Sequence, residues 1–164
     1  MMGELICACC NKPLPSDSFA LGLRRPGAWI ALSRAERRKG KDSDDYVSFT
    51  DKGKPRYFVR AVLELPIVGT DRHFEYGPWV ELDEASFIDY GEHEDDVVAK
   101  HEWFGHVSIE PGYDIPDRLP VTVVQRVGIR PLLIARDEVV RKMQEEGVTT
   151  EYVHRLLAKH AGWS

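Results

Sequence analysis

The chain has 164 residues, a length that fits a single domain. Apolar residues make up 43% of it and charged residues 30%, a balance that is typical of a globular protein and excludes a disordered one. The net charge of −5 and the pI of about 5.7 exclude an overall basic footprint, so we expect no nucleic-acid partner and no membrane partner.

Residues 1–45 are predicted to be irregular, because prolines and glycines interrupt them. The first residues lack the basic start and long apolar core of a secretory signal. All three cysteines lie within residues 7–10, an odd and clustered set that indicates a reducing compartment, so we expect a cytoplasmic protein. A short polar helix capped by Ser33 is predicted over residues 33–39.

Residues 46–136 are predicted to form the sheet-rich core. Alternating apolar residues predict one long strand over residues 56–65, ended by Pro66 and preceded by a turn at residues 51–54. Asp83 is predicted to cap a helix over residues 84–90, and residues 110–120 are expected to form a loop. The other predicted strands cover residues 46–50, 79–82, 103–109, 121–127 and 132–135.

Residues 137–164 are predicted to be helical. Asp137 caps one helix over residues 138–146 and Gly147 ends it, and a last helix begins at Thr149 or Thr150. One face of the last helix carries Val153, Leu156, Leu157 and His160. Because the helices come mostly late in the chain, the pattern predicts one α+β domain, mainly an antiparallel sheet with helices on one side and helices at its C-terminal end.

The ordered combination of six short segments resembles the bacterial family known as domain of unknown function 2199. These segments are Cys7-Ala-Cys-Cys10, residues 57–67, residues 74–82, Phe104-Gly105, Pro111-Gly-Tyr113 and residues 128–132. Because that family is uncharacterised, the resemblance implies an architecture and a bacterial origin but no activity. The chain differs from the family's pattern after the cysteines, where Asn11 replaces a glycine and Pro13 and Leu14 occupy the region of a histidine.

Cys7 and Cys10 form a C-x-x-C pair, with Cys9 between them, and are candidate metal ligands. Thiolates at this spacing can bind one zinc ion, which takes four ligands in a tetrahedron. The remaining ligands would be histidines from elsewhere, which the sequence cannot place, so a structural zinc is possible and not required. A redox role needs a helix starting at the pair, which nearby prolines disfavour, and inert thiols remain the simplest interpretation.

His101 and His106 resemble a zinc-protease helix only superficially. In that motif the two histidines are four residues apart on one face of a helix, whereas these are five residues apart. The basic run from Arg34 to Lys41 lacks interleaved aromatic residues, and the aspartates after it would partly neutralise it. An acidic run offers a surface for a basic protein partner, although a solvated face is the ordinary explanation. Its members are Glu92, Glu94, Asp95 and Asp96, with Asp89 shortly before them. Paired carboxylates could also bind a hard cation or act as acid and base, but the calcium-loop pattern is absent.

No nucleophile elbow, phosphate-binding glycine loop or dinucleotide fingerprint is present in the sequence, so no catalytic residue is assigned. We therefore expect a non-enzymatic bacterial domain that binds another protein, of the immunity or accessory type. The alternative is a zinc-binding domain or a metal-dependent enzyme that uses the N-terminal cysteines. Four protein ligands would indicate a structural metal, and an open position would permit catalysis.

Overall fold

The computed structural model describes residues 5–14, 20–22, 24–98, 100–109 and 114–160. The strands in these ranges are β1 (Ala20–Gly22), β2 (Lys41–Asp42), β3 (Tyr46–Asp51), β4 (Lys54–Arg60), β5 (Leu63–Pro66), β6 (His73–Gly77), β7 (Trp79–Leu82), β8 (Glu102–Ser108), β9 (Pro120–Val124) and β10 (Leu132–Ala135). The helices are α1 (Gly27–Ile30), α2 (Arg34–Lys39), α3 (Glu84–His93), α4 (Glu138–Glu146) and α5 (Thr150–His160). Residues 110–113 of the predicted loop and residues 161–164 of the predicted helical end lie outside the described residues.

Seven strands form one antiparallel sheet in the order β10-β9-β8-β7-β4-β3-β2. A tight turn joins β3 to β4, and both of its central residues, Lys52 and Gly53, have positive φ angles of 49° and 79°. Such a turn matches the right-handed twist of the two strands that it connects. The predicted antiparallel sheet is confirmed, and so are helices that include two at the C-terminal end.

The predicted long strand over residues 56–65 is wrong in one respect, because the chain leaves the large sheet after Arg60. Val62 instead bridges Leu132 in parallel, and the next residues enter a second sheet of three strands in the order β1-β6-β5. The alternating pattern continues through this change of sheet, so the sequence did not reveal it. Strand β6 was also not predicted, although Pro66 ends β5 as expected.

Aromatic and aliphatic side chains fill both faces of the large sheet. On one face, Phe87 of α3 packs on Tyr57 with the ring centres 5.0 Å apart. On the other face, Trp29 of α1 meets Phe49, which in turn stacks on Phe58. The helices therefore contact the sheet on both of its faces at the β3–β4 end.

The helix boundaries follow their capping residues. The side chains of Ser33, Asp83 and Asp137 accept hydrogen bonds from the first turns of α2, α3 and α4, as predicted. Helix α3 continues three residues beyond its predicted end, to His93. Gly147 ends α4 with a φ of 90°. None of the described helices combines the length and the apolar character that crossing a bilayer requires.

Candidate metal centre

The three cysteines lie on a tight hairpin at the start of the described chain. Its two arms are joined by two backbone hydrogen bonds of 2.9 Å. The N–H of Cys7 donates to the carbonyl of Lys12, and the N–H of Asn11 donates to the carbonyl of Cys7. Asn11 reverses the chain with a φ of 57°. Asparagine tolerates this left-handed conformation better than most residues, so Asn11 suits the turn.

His154 of α5 completes a cluster with the three cysteines. Its Nδ1 lies 3.3 Å from the Sγ of Cys7 and 3.4 Å from the sulfurs of both Cys9 and Cys10. The four candidate ligand atoms all lie within 4.8 Å of one another. His154 thus meets cysteines that precede it by 144 or more positions in the chain.

The sulfur–nitrogen distances suit a tetrahedral zinc ion, whereas one sulfur–sulfur distance is too short. Zn–S bonds of about 2.3 Å and Zn–N bonds of about 2.0–2.1 Å separate a sulfur from a nitrogen ligand by about 3.5 Å. The three observed sulfur–nitrogen distances are close to this value. The sulfurs of Cys7 and Cys9 are 2.8 Å apart, so Cys9, which is exposed, would move outward by about 1 Å to coordinate.

Local hydrogen bonds favour a negative charge on Cys7. Burial raises the pKa of this thiol, but the Cys9 thiol, the N–H groups of Cys9 and Cys10 and the His154 ring outweigh it and lower the pKa to about 7. The pKa of Cys9 rises to about 12, chiefly because its thiol proton is held by Cys7. A thiolate is the form that binds a metal, so Cys7 is better prepared for coordination than Cys9.

Two of the four cluster residues were not predicted to be ligands. Cys7 and Cys10 were the candidates, and the structure places both beside Cys9 and His154. Cys9 was only a possible third ligand, because it lies between the two residues of the pair. His154 follows Val153 of the buried face in the sequence, and only the packing of α5 shows which histidine meets the hairpin.

A second group of side chains, Asp89, Glu92 and His93, is also compact enough for a cation. One oxygen of Asp89 already accepts a hydrogen bond from the indole N–H of Trp103 at 2.7 Å, and the ring of His93 bonds to the Asp89 carbonyl. Protein partners therefore occupy Asp89 and His93, two of the three groups. The cysteine cluster is the stronger candidate for a metal.

The acidic residues predicted to bind a protein lie at the end of α3 and directly after it, at Glu92, Glu94, Asp95 and Asp96. Burial raises the pKa of Tyr46 and Tyr90, and the neighbouring carboxylate of Glu94 raises it further. Asp96 pairs with the ring of His101 at 3.0 Å. Asp96 thus has a partner within the fold, and the contact of the run with a basic protein stays a prediction.

Comparison with known proteins places the chain in a family but gives it no activity. Neither the curated proteins nor the solved structures gave a match. The sequence pattern of one family, described as an uncharacterized protein conserved in bacteria, matches residues 6–148. That range includes the three cysteines and ends six residues before His154. Since the match covers most of the chain, the protein belongs to the DUF2199 family.

Proposed function

We propose that the protein is a zinc-binding domain in which Cys7, Cys9, Cys10 and His154 hold one structural ion. The observation that carries the proposal is the convergence of three sulfurs and one imidazole nitrogen within 4.8 Å. Three thiolates and a histidine are a common ligand set for structural zinc. Soft sulfur ligands also disfavour magnesium and calcium, which prefer oxygen.

The number of ligands supports a structural role over a catalytic one. Four protein side chains fill the tetrahedron, whereas a catalytic zinc keeps one position for water or substrate. The ion would join the N-terminal hairpin to α5. A hydrogen bond of 3.2 Å from the N–H of Ala8 to the Thr150 hydroxyl already joins the same two elements.

Metal analysis of the protein purified under reducing conditions tests the proposal. We expect about one zinc per chain, and cobalt substitution should give the intense visible absorption of a tetrahedral thiolate site. The variant His154→Ala should lose the metal or bind it much more weakly. His160→Ala removes another histidine from the same helix, outside the cluster, and should retain a full equivalent.

Two results would contradict the proposal. One is metal-free protein that takes up no zinc when zinc is added under reducing conditions. The other is a zinc content that His154→Ala and Cys10→Ser leave unchanged. A cobalt spectrum typical of an open five-coordinate site would instead favour the metal-dependent enzyme.

A further inference from the structure

A separate cleft with a volume of about 330 Å³ lies beside the C-terminal end of β4. Three arginines, Arg60, Arg126 and Arg130, line it. Three acidic residues, Asp45, Glu94 and Asp95, line it as well. The cleft shares no residue with the cysteine cluster, so a ligand held there would bind independently of zinc.

Two of the three arginines already have a carboxylate partner. Arg126 donates to Glu64 at 3.1 Å, and Arg130 donates to Asp45 at 3.0 Å. Arg60 takes part in none of the ion pairs found among the described residues. The cleft therefore contains one guanidinium that lacks the partner its two neighbours have.

The surroundings of Arg60 compensate its charge only in part. Its NH1 donates to the carbonyl of Asp44 at 3.3 Å, and its guanidinium lies over the ring of Trp79 at 5.7 Å. Its buried Nε has no hydrogen-bond partner. Burial lowers the pKa of Arg60 and the positive charge of Arg130 lowers it further, and the nearby charges of Asp44 and Asp45 offset only part of this shift. An arginine held in this way is ready to pair with an anion.

We propose that this cleft binds a small oxyanion, a carboxylate or phosphate group, that pairs with the guanidinium of Arg60. The planar fork of an arginine matches the two oxygens of either group. Glu94 and Asp95 repel negative charge in the same cleft. A carboxylate, which carries one negative charge, should therefore bind more tightly than phosphate, which can carry two.

Titration of the whole protein with sodium acetate and, separately, with inorganic phosphate tests the site. Binding is followed by two-dimensional NMR at the indole N–H of Trp79, at constant ionic strength. We expect a saturable shift, and Arg60→Gln should weaken binding by about tenfold or more, because it removes a charge-assisted pair. The matched control is Arg141→Gln, which removes an exposed arginine of α4 and should bind like the wild type.

Saturable binding of either anion that Arg60→Gln abolishes supports the site, and the tighter anion identifies the ligand class. The proposal is overturned if neither anion gives a saturable shift, or if Arg60→Gln binds as tightly as the wild type. Arg60→Lys keeps the charge but loses the fork. If Arg60→Gln does not fold, weaker binding by Arg60→Lys replaces it as the deciding measurement.

Discussion

Removing the metal, or its ligand His154, should cost a large part of the protein's stability. A zinc ion that joins Cys7 to His154 closes a loop across 147 positions of the chain. The entropy relation for a cross-link gives about 5 kcal/mol for a loop of that length, chiefly because it restricts the unfolded chain. A domain of this kind is stable by only about 5–15 kcal/mol, so the expected loss is large.

Urea and thermal denaturation followed by circular dichroism, with zinc and with a chelator, measure this loss. At about 2–4 °C per kcal/mol for a chain of this size, Tm should fall by about 10–20 °C on chelation. His154→Ala should show a similar loss in the presence of zinc and little further change with the chelator. His160→Ala, the control on the same helix, should respond to the chelator as the wild type does.

The loop-closure argument is refuted if chelation removes zinc completely but leaves the free energy of unfolding unchanged. It is also refuted if His154→Ala loses stability yet still responds fully to the chelator. In that case the histidine would stabilise the fold by packing, and the metal would have other ligands.

Three smaller predictions concern other described residues. Asn11→Ala should cost about 1 kcal/mol of unfolding free energy, because alanine adopts the left-handed φ of 57° less readily than asparagine does. Asn11→Gly should preserve stability, because glycine adopts this conformation freely. Gln125→Ala should cost about 3 kcal/mol in urea denaturation. The two amide hydrogens of the buried Gln125 are shared among three backbone carbonyls, and its amide oxygen accepts from the N–H of His101. The pKa of His93 is raised above 6.5, chiefly by its bond to the Asp89 carbonyl, so NMR titration of the ring should give a higher value. Its stabilising contribution should be complete below pH 6.5 and decline as the pH rises through the folded-state pKa, a dependence that His93→Gln should remove.

Each of these three expectations has a clear contrary result. Equal stability of Asn11→Ala and Asn11→Gly would mean that the hairpin does not need the left-handed conformation. A loss of less than about 1 kcal/mol in Gln125→Ala would mean that water replaces its hydrogen bonds. A His93 ring that titrates below 6.5 would reverse the sign of the pH dependence.

Local signals in the sequence predicted most of the helices and several strands. The caps at Ser33, Asp83 and Asp137 are short-range features, because each side chain bonds to a backbone group three residues later. The strand over residues 132–135 was predicted with its observed bounds, and it contains four consecutive apolar residues.

Features that depend on distant contacts were not predictable in the same way. Periodicity cannot show that a chain changes sheets after Arg60, because alternation continues on both sides of the break. The same limit applies to the metal cluster. The C-x-x-C pair can be read locally, but the identity of His154 as its partner depends on how α5 packs against a hairpin at the other end of the described chain.

The separation of 147 positions between Cys7 and His154 also has a consequence during translation. The ribosome adds about 5–20 residues per second, so the cysteine hairpin is made roughly 7–30 s before its histidine. During that interval three thiols are present without their fourth ligand. A nascent chain that stops before α5 would thus contain the three sulfurs but lack the histidine through which a metal would link them to the rest of the fold.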